Sequence, residues 1–264
     1  GKDGGILRQP YAYRDPQTEG APEKYFKRVP RNEVYELTGI QVMNFNSLFQ
    51  LDTLRRNNDS ALAHADKILF MPDALSYMLT GEMVTEYTIA STAQLVNAHT
   101  RKLDSQILKS IGLNEKHFGR FVYPGEIIGT ITNKAAKETG LPVGCPVVAG
   151  AGDKQCEILG SGTLKKGQAY ITMGTMTGLN LVDDQYIADE YKVTKHRTYT
   201  AAVPGFWNAE AVSPRGFWLI SWFRDNFAKN LNKDNPKKTI EQLLDEEAIH
   251  ISPGAEGLIT IPDW

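Results

Sequence analysis

The stretch PVVAGAGDKQCEILGSG, Pro146 to Gly162, decides how the rest of this 264-residue chain is read. Its apolar start, Pro146 to Ala149, suits a short buried strand. Gly150-Ala151-Gly152 then ends the strand with residues small enough to let a ligand approach the backbone. Asp153 opens a helical segment that runs to about Leu159. Two readings of Asp153 stand side by side. An Asp after a glycine turn caps a helix, and a carboxylate at the carboxyl end of a strand can take a proton from a substrate alcohol.

Downstream, ITMGTMTGLNL (Ile171 to Leu181) predicts two strands, Gln168 to Met173 and Thr177 to Leu181, around the turn Gly174-Thr175. Such a turn is a plain hairpin, or it offers backbone N–H groups and a hydroxyl to phosphate oxygens. Beyond it, Pro214 to Phe227 is expected as an aromatic-rich helix and Thr239 to Asp245 as a polar one. Trp207, Trp218 and Trp222, with Phe206, Phe217 and Phe223, are expected to pack as core. Upstream, residues 20 to 120 are mainly helical in pattern. Helices are predicted over Ala21 to Val29, Arg31 to Leu37, Asn46 to Arg56, Pro72 to Leu79 and Asp104 to Ile111, with Gly81 and Gly112 as stops. Gly4-Gly5 predicts a turn followed by a strand at Ile6-Leu7, and the chain closes on a strand-like run, Leu258 to Ile261. Strand alternating with helix makes this an α/β protein.

Composition narrows the partners. A net charge of -2 gives no footing for nucleic acid or an anionic membrane surface, and no apolar run reaches bilayer length. Two cysteines, Cys145 and Cys156, point to a reducing, cytoplasmic setting, with Cys156 expected as a small buried apolar residue. The five histidines are scattered without metal-ligand spacing, so no residue is assigned to a metal.

From about residue 10 onward the chain resembles the FGGY carbohydrate kinases. The resemblance is carried by YRDPQTEGAPE (Tyr13 to Glu23), by ILFMPDALSYMLTGEMVTEYTIASTAQLVNAHTRKLDSQILKSIGL (Ile68 to Leu113), by YPGEIIGTI (Tyr123 to Ile131), and by TGLPVGCPVVAGAGDKQCEILGSG (Thr139 to Gly162). It implies a ribonuclease-H-like, actin-like fold of two α/β domains, here residues 1–157 and 158–264. The activity implied is ATP-dependent phosphorylation of a sugar with ATP and Mg²⁺, Asp153 acting as general base. The resemblance makes Tyr13, Asp15 and Gln155 substrate contacts, and Gly174, Thr175 and Met176 the holders of ATP phosphates. The partner is a small sugar, with no nucleic acid and no membrane, and a homodimer stays open.

The first half is closest to rhamnulokinases, whereas GAGDKQCE is closer to the xylulose and glycerol kinase pattern, so rhamnulose, fuculose and xylulose all remain, the deoxyketoses ahead. The family's opening Asp-x-Gly-Thr hairpin and its late glycine-rich adenosine motif have no match here. The chain is therefore expected to be incomplete at both ends and inactive alone. The alternative is a non-catalytic sugar-binding or regulatory protein, or an inactive fragment, on the same fold.

Overall fold

The computed structural model describes residues 1–13, 15–174, 176–186, 196–213 and 216–259. A 3₁₀ turn, Pro16–Thr18, leads into helices α1 (Ala21–Phe26), α2 (Arg31–Thr38), α3 (Ser47–Arg56), α4 (Ser60–His64) and α5 (Met71–Thr80). Strand β1 (Val84–Glu86), helix α6 (Tyr87–Thr92), strands β2 (Val96–Asn97) and β3 (Lys102–Leu103), and helix α7 (Ser105–Ser110) follow. Then come β4 (Arg120–Val122), β5 (Ile127–Thr130), α8 (Asn133–Thr139), β6 (Pro146–Val148) and α9 (Asp153–Gly160). The chain continues through β7 (Ala169–Met173), β8 (Thr177–Asp183), β9 (His196–Thr200), β10 (Trp207–Ser213), α10 (Trp218–Phe227) and α11 (Ile240–Ala248).

Two compact units divide the chain: Gly1–Tyr170 with Asn180–Glu210, and Ile171–Leu179 with Ala211–Trp264. In the first, the amphipathic faces of α1, α3 and α7 bury one core. Tyr25, Phe26 and Phe49 meet edge to face with ring centroids 5.6–5.7 Å apart, the geometry aromatic quadrupoles favour. Val34, Leu48, Leu95, Ile107, Leu108 and Ile111 pack around them. Inside this helical layer Asp52 is fully buried, and its charge is met by Arg28 at 2.5 Å and Arg56 at 2.9 Å. A second, smaller core of Val84, Val122, Ile128 and Ala149 lies beneath the glycine turn. Here β1 and β4 pair in parallel with Thr85 opposite Phe121, and β5 and β6 pair antiparallel with Thr130 opposite Pro146. A four-stranded sheet has the order β7-β8-β10-β9.

Several expectations need correction. Pro146 to Ala149 is not a buried strand: Val148 is half exposed and only Ala149 is buried. Its strand hydrogen-bonds to β5 alone, so among the described residues no second neighbour covers it. Ile6-Leu7 makes no strand, although the preceding turn forms, with Gly4 N–H donating to Gly1 O at 2.9 Å. Leu258 and Ile259 are exposed and outside any strand, and the rest of that run lies outside the described residues. The aromatic cluster does not exist as one core. Trp207 is buried, with Arg101 over its ring at 5.3 Å, while Trp222, Phe223 and Phe227 stand exposed on α10. Cys156 is likewise exposed, its sulfur 3.6 Å from Ala151 O.

Candidate functional site

The glycine turn is fixed before the helix begins. Ala149 exchanges backbone hydrogen bonds with the Gly125-Glu126 turn, Gly125 N–H donating to its carbonyl and Ala149 N–H donating to Glu126 O, both at 2.8 Å. Three residues on, Gly152 N–H donates to Thr88 Oγ1 at 2.8 Å inside the protein. Gly152 takes the N-cap position of α9 and Asp153 the first helical position. Asp153 is exposed, and its Oδ1 accepts from Lys154 N–H at 2.7 Å, so the cap role that its place in the sequence allowed falls to Gly152. A Cβ on Gly150 would meet nothing within 4 Å, which leaves the turn open to a ligand.

Gln155 lies on the other side of the same helix. Two residues advance an α-helix by about 200°, so Asp153 faces out while Gln155 is buried. Its Nε2 has no hydrogen-bond partner among the described residues, and it lines a small hollow of about 10 Å³ with Ile158, Val182 and Asn208. The side-chain amide of Asn208 is also buried and without a partner among the described residues. Asp153 and Gln155 are thus not brought to one face.

Tyr13 and Asp15 are brought together. Both line a hollow of about 410 Å³ with Pro16, Glu19, Asn44 and Phe45. The Tyr13 and Phe45 rings meet edge on, 5.6 Å between centroids. Asp15 caps the 3₁₀ turn, its Oδ1 accepting from Gln17 N–H at 2.9 Å. Carboxylates and an amide beside aromatic rings form a set that suits a polyol: hydroxyls donate to the oxygens while the carbon face packs on the rings. Glu19, Asn44 and Phe45 were not singled out from the sequence. Asn44 and Phe45 come from a separate segment, and nothing in their spacing ties them to Tyr13.

The predicted hairpin forms in the second unit. Gly174 N–H donates to Met176 O at 3.2 Å, and Phe217 N–H, just ahead of α10, donates to Gly174 O at 2.8 Å. A Cβ on Gly174 would meet nothing within 4 Å, and Met176 is about half exposed. Thr175 lies outside the described residues.

Two buried carboxylates behind the glycine turn were missed from the sequence. Glu86 caps α6, accepting from Thr88 N–H and Ile89 N–H at 2.9 Å each and from the Thr88 hydroxyl at 2.6 Å. Burial raises its pKa above the ordinary carboxylate range. Asp73 accepts from Glu86 N–H at 3.2 Å, and burial pushes its pKa up to about 7. Glu86 lies within the quoted Ile68 to Leu113 stretch, which was the available signal. Among the described residues no group of three or more His, Cys, Asp or Glu side chains gathers to hold a metal, and no helix is long and apolar enough to cross a membrane.

An α/β chain with a carboxylate opening a helix after a glycine turn, and a second glycine turn between strands, has close structural counterparts. It superposes on the xylulose kinase from Rhodospirillum rubrum with a TM-score of 0.83 at 19% identity, covering 98% of this chain and 51% of that one. Against the gluconate kinase from Lactobacillus acidophilus the TM-score is 0.82, again at 19% identity, 98% and 51% coverage. The fold is the ribonuclease-H-like sugar-kinase fold expected from the sequence.

Residues 2–160 match the model of the FGGY family of carbohydrate kinases, N-terminal domain, and the chain belongs to that family. It is 63% identical over 185 residues to the rhamnulokinase of Bacteroides thetaiotaomicron, covering 70% of this chain and 38% of that protein. With the L-fuculokinase of Escherichia coli (strain K12) it shares 30% identity over 261 residues, 97% of this chain and 53% of that protein. The chain therefore spans from over a third to about half of the length of the relatives it matches.

Proposed function

We propose that this chain serves an ATP-dependent sugar kinase whose substrate is a deoxyketose, rhamnulose before fuculose, phosphorylated at a primary hydroxyl. The observation that carries the reading is the exposed carboxylate of Asp153 at the start of α9, in a chain 63% identical to a rhamnulokinase over 185 residues. Asp153 accepts the proton of the sugar hydroxyl as that oxygen attacks the γ-phosphorus. The bond from phosphorus to the bridging oxygen breaks, and ADP leaves. Phosphoryl transfer asks little more of side chains than a placed base and donors for the phosphate oxygens.

Residues 1–157 supply the sugar side and the base, and residues 158–264 the phosphate hairpin. Tyr13 and Asp15 belong to the sugar hollow, where Asn44 and Glu19 add polar groups. Gln155 would join only if its buried amide turned outward. Gly174, Thr175 and Met176 hold phosphate oxygens, a role supported by the open space at Gly174. Mg²⁺, arriving with ATP, neutralises phosphate charge when bound. A cytoplasmic setting, where ATP is supplied, goes with this reading.

The test is ADP release by the complete gene product across rhamnulose, fuculose, xylulose, ribulose, gluconate and glycerol. Rhamnulose is expected to give the highest kcat/KM. Release with xylulose or glycerol alone would overturn the substrate. Sugar binding without release on any member would overturn the kinase and favour a sugar-binding protein.

A further inference from the structure

We propose that Thr88 is a positioning residue for Asp153 and that Glu86 aims the Thr88 hydroxyl, an inference that rests on the reading of Asp153 as the base. The amide just before Asp153 belongs to Gly152, and it donates to Thr88 Oγ1 at 2.8 Å. These two residues are 64 positions apart in the chain, so the contact ties α6 to the start of α9. A hydroxyl has one proton to give. The Thr88 proton goes to Glu86 Oε2 at 2.6 Å, which leaves only a lone pair to face Gly152. Glu86 cannot swing away, because Thr88 N–H and Ile89 N–H hold its oxygens at 2.9 Å each. Thr88 is fully buried and Glu86 nearly so, away from bulk solvent.

A Cβ on Gly152 would come within 2.4 Å of Gln155 Oε1. The Ala151–Gly152 peptide, one link before Asp153, is therefore held by Thr88. The position of the first helical residue follows from where that peptide sits. Since a misplacement of about 1 Å in a reacting group costs on the order of a hundredfold in rate, the grip acts on turnover rather than on sugar affinity.

Thr88→Val keeps the volume and removes the acceptor, leaving Gly152 N–H buried without a partner. In the complete gene product, kcat is expected to fall about 10- to 100-fold with the sugar KM changed less than about threefold. Thr88→Ser is expected to restore most of the lost rate. Glu86→Gln, which places an N–H₂ either against Thr88 N–H or against the Thr88 hydroxyl and Ile89 N–H together, is expected to lower kcat about 10-fold at constant KM, and it keeps the test open if Thr88→Val does not fold. Amide hydrogen exchange supplies a readout besides activity: the Gly152 amide exchanges faster in Thr88→Val, while the Leu108 amide in α7 is unchanged. Wild-type kcat in Thr88→Val or Glu86→Gln, or an unchanged Gly152 exchange rate, would overturn the proposal. If Asp153→Asn keeps full activity, the base assignment fails instead, whatever the exchange data show.

Discussion

Two carboxylates set the chemistry of the interior near the glycine turn, and they do so in opposite ways from Asp52. Asp52 is buried between two guanidinium groups, so its charge is compensated where it sits. Asp73 has no such partner among the described residues, and burial, together with the neighbouring Glu86 charge, raises its pKa from 3.8 to about 7. Between those two values the folded chain holds a proton that the unfolded chain has lost. The stability contribution is thus complete below pH 3.8 and is lost as the pH rises to about 7. Asp73→Asn, which keeps an oxygen for Glu86 N–H, is expected to flatten that decline and to gain roughly 1–3 kcal/mol over wild type above pH 7. Urea unfolding of both proteins at pH 4.5, 6 and 8 checks it; parallel curves would contradict it. No sequence pattern announces this behaviour, because Asp73 sits in the first turn of a helix, where an acidic residue is ordinary.

Helix ends show what was legible and why. Asp104 was read as the cap of the helix that follows, and its Oδ1 does accept from Ile107 N–H at 2.8 Å. Its second oxygen accepts from Asn97 Nδ2 at 2.9 Å, tying β2 to α7. Asp104→Ala is expected to cost about 1–2 kcal/mol in thermal or urea unfolding, and a loss below about 0.3 kcal/mol would refute the cap. The glycine stops are equally local: Gly81 follows its helix at φ of 78° and Gly112 follows the last turn of α7 at φ of 68°. Such signals need only a few neighbouring residues, so the five helices predicted between residues 20 and 120 lie within a few positions of the observed ends, whereas α4 and α6 were not anticipated. Burial of β6 was not legible, since it depends on which strands flank it. Nor was the exposure of Trp222, Phe223 and Phe227, because aromatic content reports apolar area and not what covers it. The same limit hid Asn44 and Phe45 as lining of the hollow beside Tyr13.

At the scale of the molecule, the family was readable because motif order and spacing run through most of the chain, and the match over residues 2–160 agrees. The sugar was not, because the segments pointed two ways: the first half toward rhamnulokinases, GAGDKQCE toward the xylulose and glycerol type. The hollow lined by Tyr13 and Asp15 and the start of α9 belong to one compact unit and the Gly174 turn to the other. If the hollow holds the sugar, Asn44→Ala in the complete gene product should raise the sugar KM about 5- to 20-fold with kcat nearly kept, as expected when one polar contact is removed from ground state and transition state alike. An unchanged KM would place the sugar elsewhere. The central claim is that Asp153 takes the proton from the sugar, and Asp153→Asn in the complete gene product tests it most directly. Sugar-dependent ADP release is predicted to fall at least about a hundredfold, with sugar binding retained. Release at the wild-type rate would contradict the account.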